Sequence, residues 1–301
     1  MKVFITGATG YIGFNVAMAY RRAGHEVWGL TRSKEKARIL SRHEIRPVVG
    51  SMQQPEGWEA AAKDCSVLIH AAVDYQTDPF ALDKQTVEFL LSLAQQGPRP
   101  KTLIYTSGVW VYGNTQGSLV DETTPLNPPK MVARRPATEQ LVLNASDVRG
   151  LVIRPGCVYG YQGGLTGMWF AAAVNEKALT AVGDGSNRWT MVHADDLADA
   201  YLRAGESGLS GEVFNITDRS RWSVGEMLAA VARVTGYAGK ITFVPVAEAA
   251  KSMGDFAECL ALDQHADGRK AVRLLGWQPK HGGFVDDAET YCMSWRASQE
   301  K

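Results

Sequence analysis

The chain has 301 residues with 32 acidic and 32 basic side chains, so its formal net charge is zero. That balance, with no basic block, argues against nucleic acid or an anionic membrane surface as a partner. Cys65, Cys157, Cys259 and Cys292 are scattered without a Cys-x-x-Cys pair, so neither a metal site nor a disulfide framework is expected. The apolar runs are strand-length and the first begins at the N-terminus, so the expectation is a cytoplasmic protein with no signal peptide and no membrane span.

The first apolar run, 3–6, leads into Thr6-Gly7-Ala8-Thr9-Gly10-Tyr11-Ile12-Gly13, and Ile12, Val16 and Tyr20 then repeat at helical spacing. A glycine-rich turn between a buried strand and a helix is built to hold a dinucleotide pyrophosphate. Gly7 permits the tight turn, Gly10 lets the backbone approach phosphate, and Gly13 allows close packing, while the helix N-terminus offers free N–H groups. Gly7, Thr9, Gly10, Tyr11, Ile12 and Gly13 are therefore expected to bind the cofactor.

The second strand, 26–30, ends in Leu30-Thr31-Arg32-Ser33 with no carboxylate at Thr31 or Arg32. Arg32 can fork onto a 2′-phosphate, with Thr31, Ser33 and Lys36 as further donors. The expected cofactor is NADP, with NAD left open.

Further strands are expected at 47–49, 67–70, 102–106 and 151–154, separated by helices over 33–41, 56–63, 80–96 and 136–146. Apolar runs interleaved with helices give βαβ units. The fold class is α/β, a Rossmann doubly wound parallel sheet with a smaller C-terminal substrate lobe. Residues 1–155 plus 183–217 are assigned to the nucleotide-binding domain, and 156–182 plus 218–301 mainly to the lobe. Glycine-rich loops at 160–167 and 183–185 and helices near 194–205, 223–235 and 284–297 complete the second half.

Five segments in order carry a resemblance. They are the 6–13 loop, Leu68-Ile-His70-Ala71-Ala72, Tyr105-Thr-Ser107-Gly108-Val-Trp-Val-Tyr112-Gly113, Ile153-Arg154-Pro155-Gly156-Cys-Val158-Tyr159-Gly160, and Val192-His193-Ala-Asp195-Asp196 with Phe214-Asn215-Ile. Over nearly its whole length the chain resembles the extended short-chain dehydrogenase/reductase family, the NAD-dependent epimerase/dehydratase-like proteins. The resemblance implies that Ala71 and Ala72 pass near the nicotinamide ribose, that Pro155 and Val158 meet the carboxamide, and that the protein forms a homodimer through the helices flanking the fourth and fifth strands.

The family's Tyr-x-x-x-Lys pair is missing. Counting back from Glu139, Met131 stands at the tyrosine position and Arg135 at the lysine position. Met131 cannot exchange a proton, and Arg135 can hold a ribose but is too basic for a relay. Pro136 disfavours a continuous helix through Arg135 and suits the start of a later one. Gly108 replaces the family serine, and Ser51 replaces an aspartate expected near adenine. Ser107, one position earlier, is the substitute, although a one-residue step along a strand reverses the side chain.

Carbonyl reduction needs one proton donor within hydrogen-bond reach. Tyr75, Tyr159, Tyr161, His193 and Ser107 are the catalytic candidates, with Arg188 available to an acidic substrate group. Tyr159 can equally pack, and His193 can equally cap the helix that follows it. The reading is an NADP-dependent oxidoreductase acting on a small carbonyl or alcohol. The alternatives are a nucleotide-sugar epimerase/dehydratase-type isomerase, a non-catalytic nucleotide-binding sensor, or a protein that promotes a rearrangement by shape alone.

Overall fold

Val3, Phe4 and Ile5 are all fully buried. Because side chains alternate across a strand, burial of both faces requires covering layers on both sides. A computed structural model describes residues 1–74 and 78–300, and the counts here refer to those residues. Strands β1 (Lys2–Thr6), β2 (Glu26–Thr31), β3 (Arg46–Val49), β4 (Val67–His70) and β5 (Lys101–Thr106) are joined in one sheet by β7 (Val148–Pro155) and β11 (Glu212–Ile216). The order is β11-β7-β5-β4-β1-β2-β3, parallel throughout. Order reverses about β1, so the switch point falls beside the glycine loop, where ligands of such sheets bind. This is the expected Rossmann sheet with one more strand, β11, which carries the Phe214-Asn215-Ile216 motif.

Val3 and Ile5 face a layer formed by α1 (Tyr11–Arg22), α2 (Lys34–Arg42), α7 (Ala194–Glu206) and α11 (Arg269–Leu275). Phe4, Leu68, Leu103 and Tyr105 face α3 (Glu59–Lys63), α4 (Pro79–Ala94) and α5 (Arg135–Leu143). The helix expected at 56–63 is broken in two. A 3-10 turn, Pro55–Gly57, precedes α3, and between them Trp58 leaves helical geometry to stack on Phe4 at 5.3 Å and donate its Nε1–H to Ser51 O at 2.9 Å.

Three short parallel pairs lie outside the main sheet: β6 (Leu119–Val120) with β13 (His265–Ala266), β8 (Cys157–Tyr159) with β10 (Met191–His193), and β9 (Leu179–Val182) with β12 (Ile241–Val244). With α6 (Gly164–Ala171), α8 (Val224–Thr235), α9 (Val246–Met253), α10 (Phe256–Leu260) and α12 (Ala288–Gln299), they build the C-terminal region. Trp169, Phe170, Trp189, Met227, Phe284 and Trp295 belong to its separate core. No helix among the described residues is long and apolar enough to cross a membrane.

Candidate active site

The glycine loop turns where the sequence requires it. Gly7 has φ +72°, and a Cβ there would lie 2.5 Å from Ala71 O. A Cβ on Gly13 would lie 2.2 Å from Gly7 O, so Gly13 allows the first turn of α1 to close against the loop itself. Helix α1 has no side-chain cap at Gly10, which leaves its leading N–H groups to a ligand. Tyr11 donates its hydroxyl to Gly160 O at 2.6 Å and so ties the loop to the segment after β8.

A cleft of about 260 Å³ runs over this loop, lined by Gly7, Thr9, Gly10, Thr31, Arg32, Lys36, Ser51, Ala71, Ala72 and Asp74 among others. Arg32 does not stand alone at its rim: its Nη1 donates to the buried carboxylate of Asp74 at 2.7 Å. Ser33 caps α2 by accepting from the Lys36 N–H at 3.3 Å, and Thr31 Oγ1 accepts from the Ser33 N–H at 3.4 Å. A carboxylate thus lies on the cleft although none follows β2 in sequence. It comes from the segment after β4, a strand that the fold lays beside β1.

A second cavity, of about 280 Å³, opens beyond the ends of β4, β5 and β7. Ile12, Ser107, Met131, Arg135, Pro155 and Val158 all line it, so segments far apart in sequence converge here. Residues Lys130–Val132 form a 3-10 turn and α5 begins only at Arg135, with Pro136 in its first turn. Met131 and Arg135 therefore reach one cavity from two elements. Met131 Sδ contacts Cys259 Sγ at 3.9 Å, and Arg135 Nη1 donates to Thr106 O at 2.8 Å. Strand β5 stops at Thr106, so the alternation that would turn Ser107 away no longer applies. Ser107 Oγ is buried without a hydrogen-bond partner among the described residues.

Of the other catalytic candidates, Tyr75 lies outside the described residues. Tyr159, Tyr161 and His193 do not line the cavity. Tyr159 is fully buried among His193, Phe284 and Tyr291, and burial, together with the nearby Asp218 carboxylate, pushes its hydroxyl far up. Tyr161 hydrogen-bonds both Asp195 oxygens at 2.8 Å, and burial and that carboxylate push its hydroxyl up to about 12. His193 caps α7, with Nδ1 accepting from the Asp195 N–H at 3.1 Å. Its ring stacks on His281 at 3.6 Å, and burial and that neighbour lower it to about 4. His193, Asp195 and His281 bring metal-capable atoms within 4.8 Å of one another, a juxtaposition the sequence did not suggest. Arg188 donates its Nε–H to Arg221 O at 3.2 Å and lines neither the cleft nor this cavity.

Sequence reasoning missed Asp83, the only carboxylate among the described residues that line the cavity. Asp83 Oδ1 meets His70 Nε2 at 3.1 Å, and Asp83 Oδ2 accepts from the Tyr105 hydroxyl at 2.7 Å. His70 Nδ1 meets Thr6 Oγ1 at 2.7 Å. Burial opposes ionisation of Asp83, but His70, Arg135 and Tyr105 together hold its carboxyl below the usual carboxylate range. A signal was present in the sequence. Leu82, Asp83, Thr86, Val87 and Leu90 share the buried stripe of α4, and an acid on an apolar stripe needs a partner.

A model of the NAD dependent epimerase/dehydratase family matches residues 3–217. A 4-hydroxy-2-methyl-3-oxo-4-farnesyl-3,4-dihydroquinoline-1-oxide ketoreductase of Stigmatella aurantiaca is 29% identical over 295 residues, covering 92% of this chain and 87% of its own. The fold is shared with a dTDP-glucose 4,6-dehydratase of Bacillus anthracis in complex with NAD, at a TM-score of 0.84 and 21% identity, covering 100% of this chain and 98% of that one. It is also shared with a UDP-glucose 4-epimerase of Thermus thermophilus in complex with NAD, at a TM-score of 0.82 and 20% identity, covering 99% and 100%. NAD in both complexes overturns the expectation of NADP. The Arg32–Asp74 pair supplies a physical reason, since the cation offered to a 2′-phosphate is already engaged by a carboxylate. The family match and these folds likewise displace the reading of a plain small-carbonyl oxidoreductase in favour of the epimerase/dehydratase alternative.

Proposed function

Because this chain belongs to the NAD dependent epimerase/dehydratase family, we propose that it binds NAD across the 7–13 loop and performs an epimerase/dehydratase-type reaction at a secondary alcohol. The residues fit such a cofactor: Gly7 keeps the cradle free of a Cβ, the first N–H groups of α1 are uncapped, and the Asp74 carboxylate on the cleft engages the arginine that a 2′-phosphate would need. When bound, NAD supplies reversible hydride acceptance, so a substrate carbon can be oxidised and reduced in one turnover without net redox change.

The observation that carries this reading is the set of groups on the cavity: one carboxylate held ionised (Asp83), one fixed cation (Arg135) and one unpartnered hydroxyl (Ser107). Ser107 Oγ bonds the substrate's carbinol oxygen. Asp83 accepts the hydroxyl proton, directly or through one water, and returns it when the carbonyl is reduced. His70 and Tyr105 fix the Asp83 carboxylate in place. Arg135, held on Thr106 O, stabilises negative charge developing on the substrate oxygen. Met131 contributes an apolar wall in place of a phenol.

Two measurements test the proposal. Calorimetric titration should show NAD binding tighter than NADP by about tenfold or more, roughly 1.4 kcal/mol. Proton NMR of protein with NAD and a panel of secondary alcohols should show, for a member that binds, inversion or loss of water with no net reduction of the nucleotide. Stoichiometric NADH release with every converted substrate would overturn the reaction class, and NAD binding without turnover would favour the sensor alternative.

A further inference from the structure

The first cavity, lined by Asp83 and Ser107, adjoins a second one toward the C-terminal region. Leu165, at the start of α6, lines the first and also the second, a larger cavity of about 410 Å³. Trp169, Trp189, Val182, Val244 and Phe256 line that larger space, and Phe256 packs edge-on against Trp110 of the first cavity at 6.1 Å. Trp169 and Trp189 stack at 4.9 Å with a 17° interplanar angle. At the mouth, Met168 and Met253 remain 55% and 44% exposed, unusual for side chains that gain about 25 cal/mol per Å² on burial.

Charge separates the ligand classes. A nucleoside diphosphate brings two negative charges that need cationic or N–H partners in a low-dielectric site. Among the described residues, the lining of the larger cavity includes no Lys, Arg or His, and its one charged side chain, Glu176, is acidic. Arg188, next in sequence to Trp189, opens instead onto a separate recess of about 50 Å³ with Arg219, Arg221 and His265, and its guanidinium is bonded to Arg221 O. The one cation among the described residues that line the first cavity, Arg135, is engaged by Thr106 O.

We propose that the larger cavity is the substrate's second subsite and takes an uncharged aromatic or hydrocarbon group, so that the substrate is an alcohol on an apolar skeleton and not a sugar carried on a nucleoside diphosphate. The volume lies in the range of small-molecule sites, with polar groups confined to the reacting end. The inference rests on the reaction proposed above only for what happens at the first cavity; occupancy of the second is measured separately.

Full-length protein saturated with NAD is titrated calorimetrically with 1-(2-naphthyl)ethanol, a neutral aromatic secondary alcohol, and separately with UDP-glucose. The naphthyl alcohol should bind, and Met168→Glu/Met253→Glu should weaken it about tenfold or more while NAD affinity stays within about twofold. Both methionines are exposed, so the variant leaves the core intact. UDP-glucose should neither bind in the submillimolar range nor displace the naphthyl alcohol. Failure of the naphthyl alcohol to bind, binding insensitive to the double variant, or displacement by UDP-glucose that Arg188→Ala abolishes would each overturn the inference. Loss of turnover with binding intact would count against the reaction alone.

Discussion

In the proposed reaction one side chain, Asp83, carries the proton transfer. Asp83 is held ionised by His70, Arg135 and Tyr105, so at neutral pH it has no proton of its own to give and can serve only as the acceptor, and Asp83→Asn keeps the shape while removing that capacity. Turnover in the variant should fall by about 10²–10⁴-fold, with NAD affinity by calorimetry unchanged; retention of activity would move the base elsewhere. Asp218 makes the opposite case. Burial raises its carboxyl from 3.8 to about 6 despite two hydrogen bonds from Ser220. Between those values the folded chain holds a proton that the unfolded chain has released. Stability therefore falls as pH rises through this window, and the deficit is complete above it. Asp218→Asn should remove that slope and stabilise the protein at about pH 8 by roughly 1–3 kcal/mol. Denaturant melts at about pH 4 and about pH 8 check this, and equal pH dependence in both proteins would refute it.

At the scale of elements, α1 and α5 answer differently to the sequence. The loop before α1 was legible because its constraints are local: Gly7 needs positive φ, and Gly13 leaves 2.2 Å between a would-be Cβ and Gly7 O. Gly13→Ala should therefore open the loop, costing about 1–3 kcal/mol in urea melts and most of the NAD affinity. The six strands foreseen before β11 were legible for the same reason, as each is a short apolar run closed by a turn. The break ahead of α5 was legible too, through Pro136. It leaves Met131 on a 3-10 turn and Arg135 on the helix, so the pair lacks the continuous turn that four-residue spacing presumes. Met131→Tyr is accordingly expected to leave turnover within about threefold of the parent, and a large gain in a steady-state assay would contradict that geometry. What local sequence could not give was partnership across the sheet. Asp74 reaches Arg32 from 42 positions away and Tyr105 reaches Asp83 from 22, and only strand order brings them together.

For the whole molecule, the issue is whether sheet and C-terminal region behave as one body in solution. Each has its own core, which taken alone favours two unfolding units. Connectivity opposes this. On the division proposed for the chain, with 156–182 and 218–301 as the lobe, the backbone passes between the two parts three times. Strands β8 and β10 pair where it does so, and Tyr11 of the sheet side bonds Gly160 O. A part that melted first would pull ordered backbone from its neighbour at three points. We therefore expect a single calorimetric transition, with van't Hoff and calorimetric enthalpies equal. NAD bound as proposed would rest mainly on the sheet side, yet at about 100 times its Kd it should add about 2.7 kcal/mol to the whole and raise that one Tm by about 5 °C. The ligand of the apolar cavity should raise the same transition, because both sites report on one equilibrium. Two transitions, with NAD moving one and the naphthyl alcohol the other, would show that the cores unfold independently and that the cavities communicate only through the substrate that spans them.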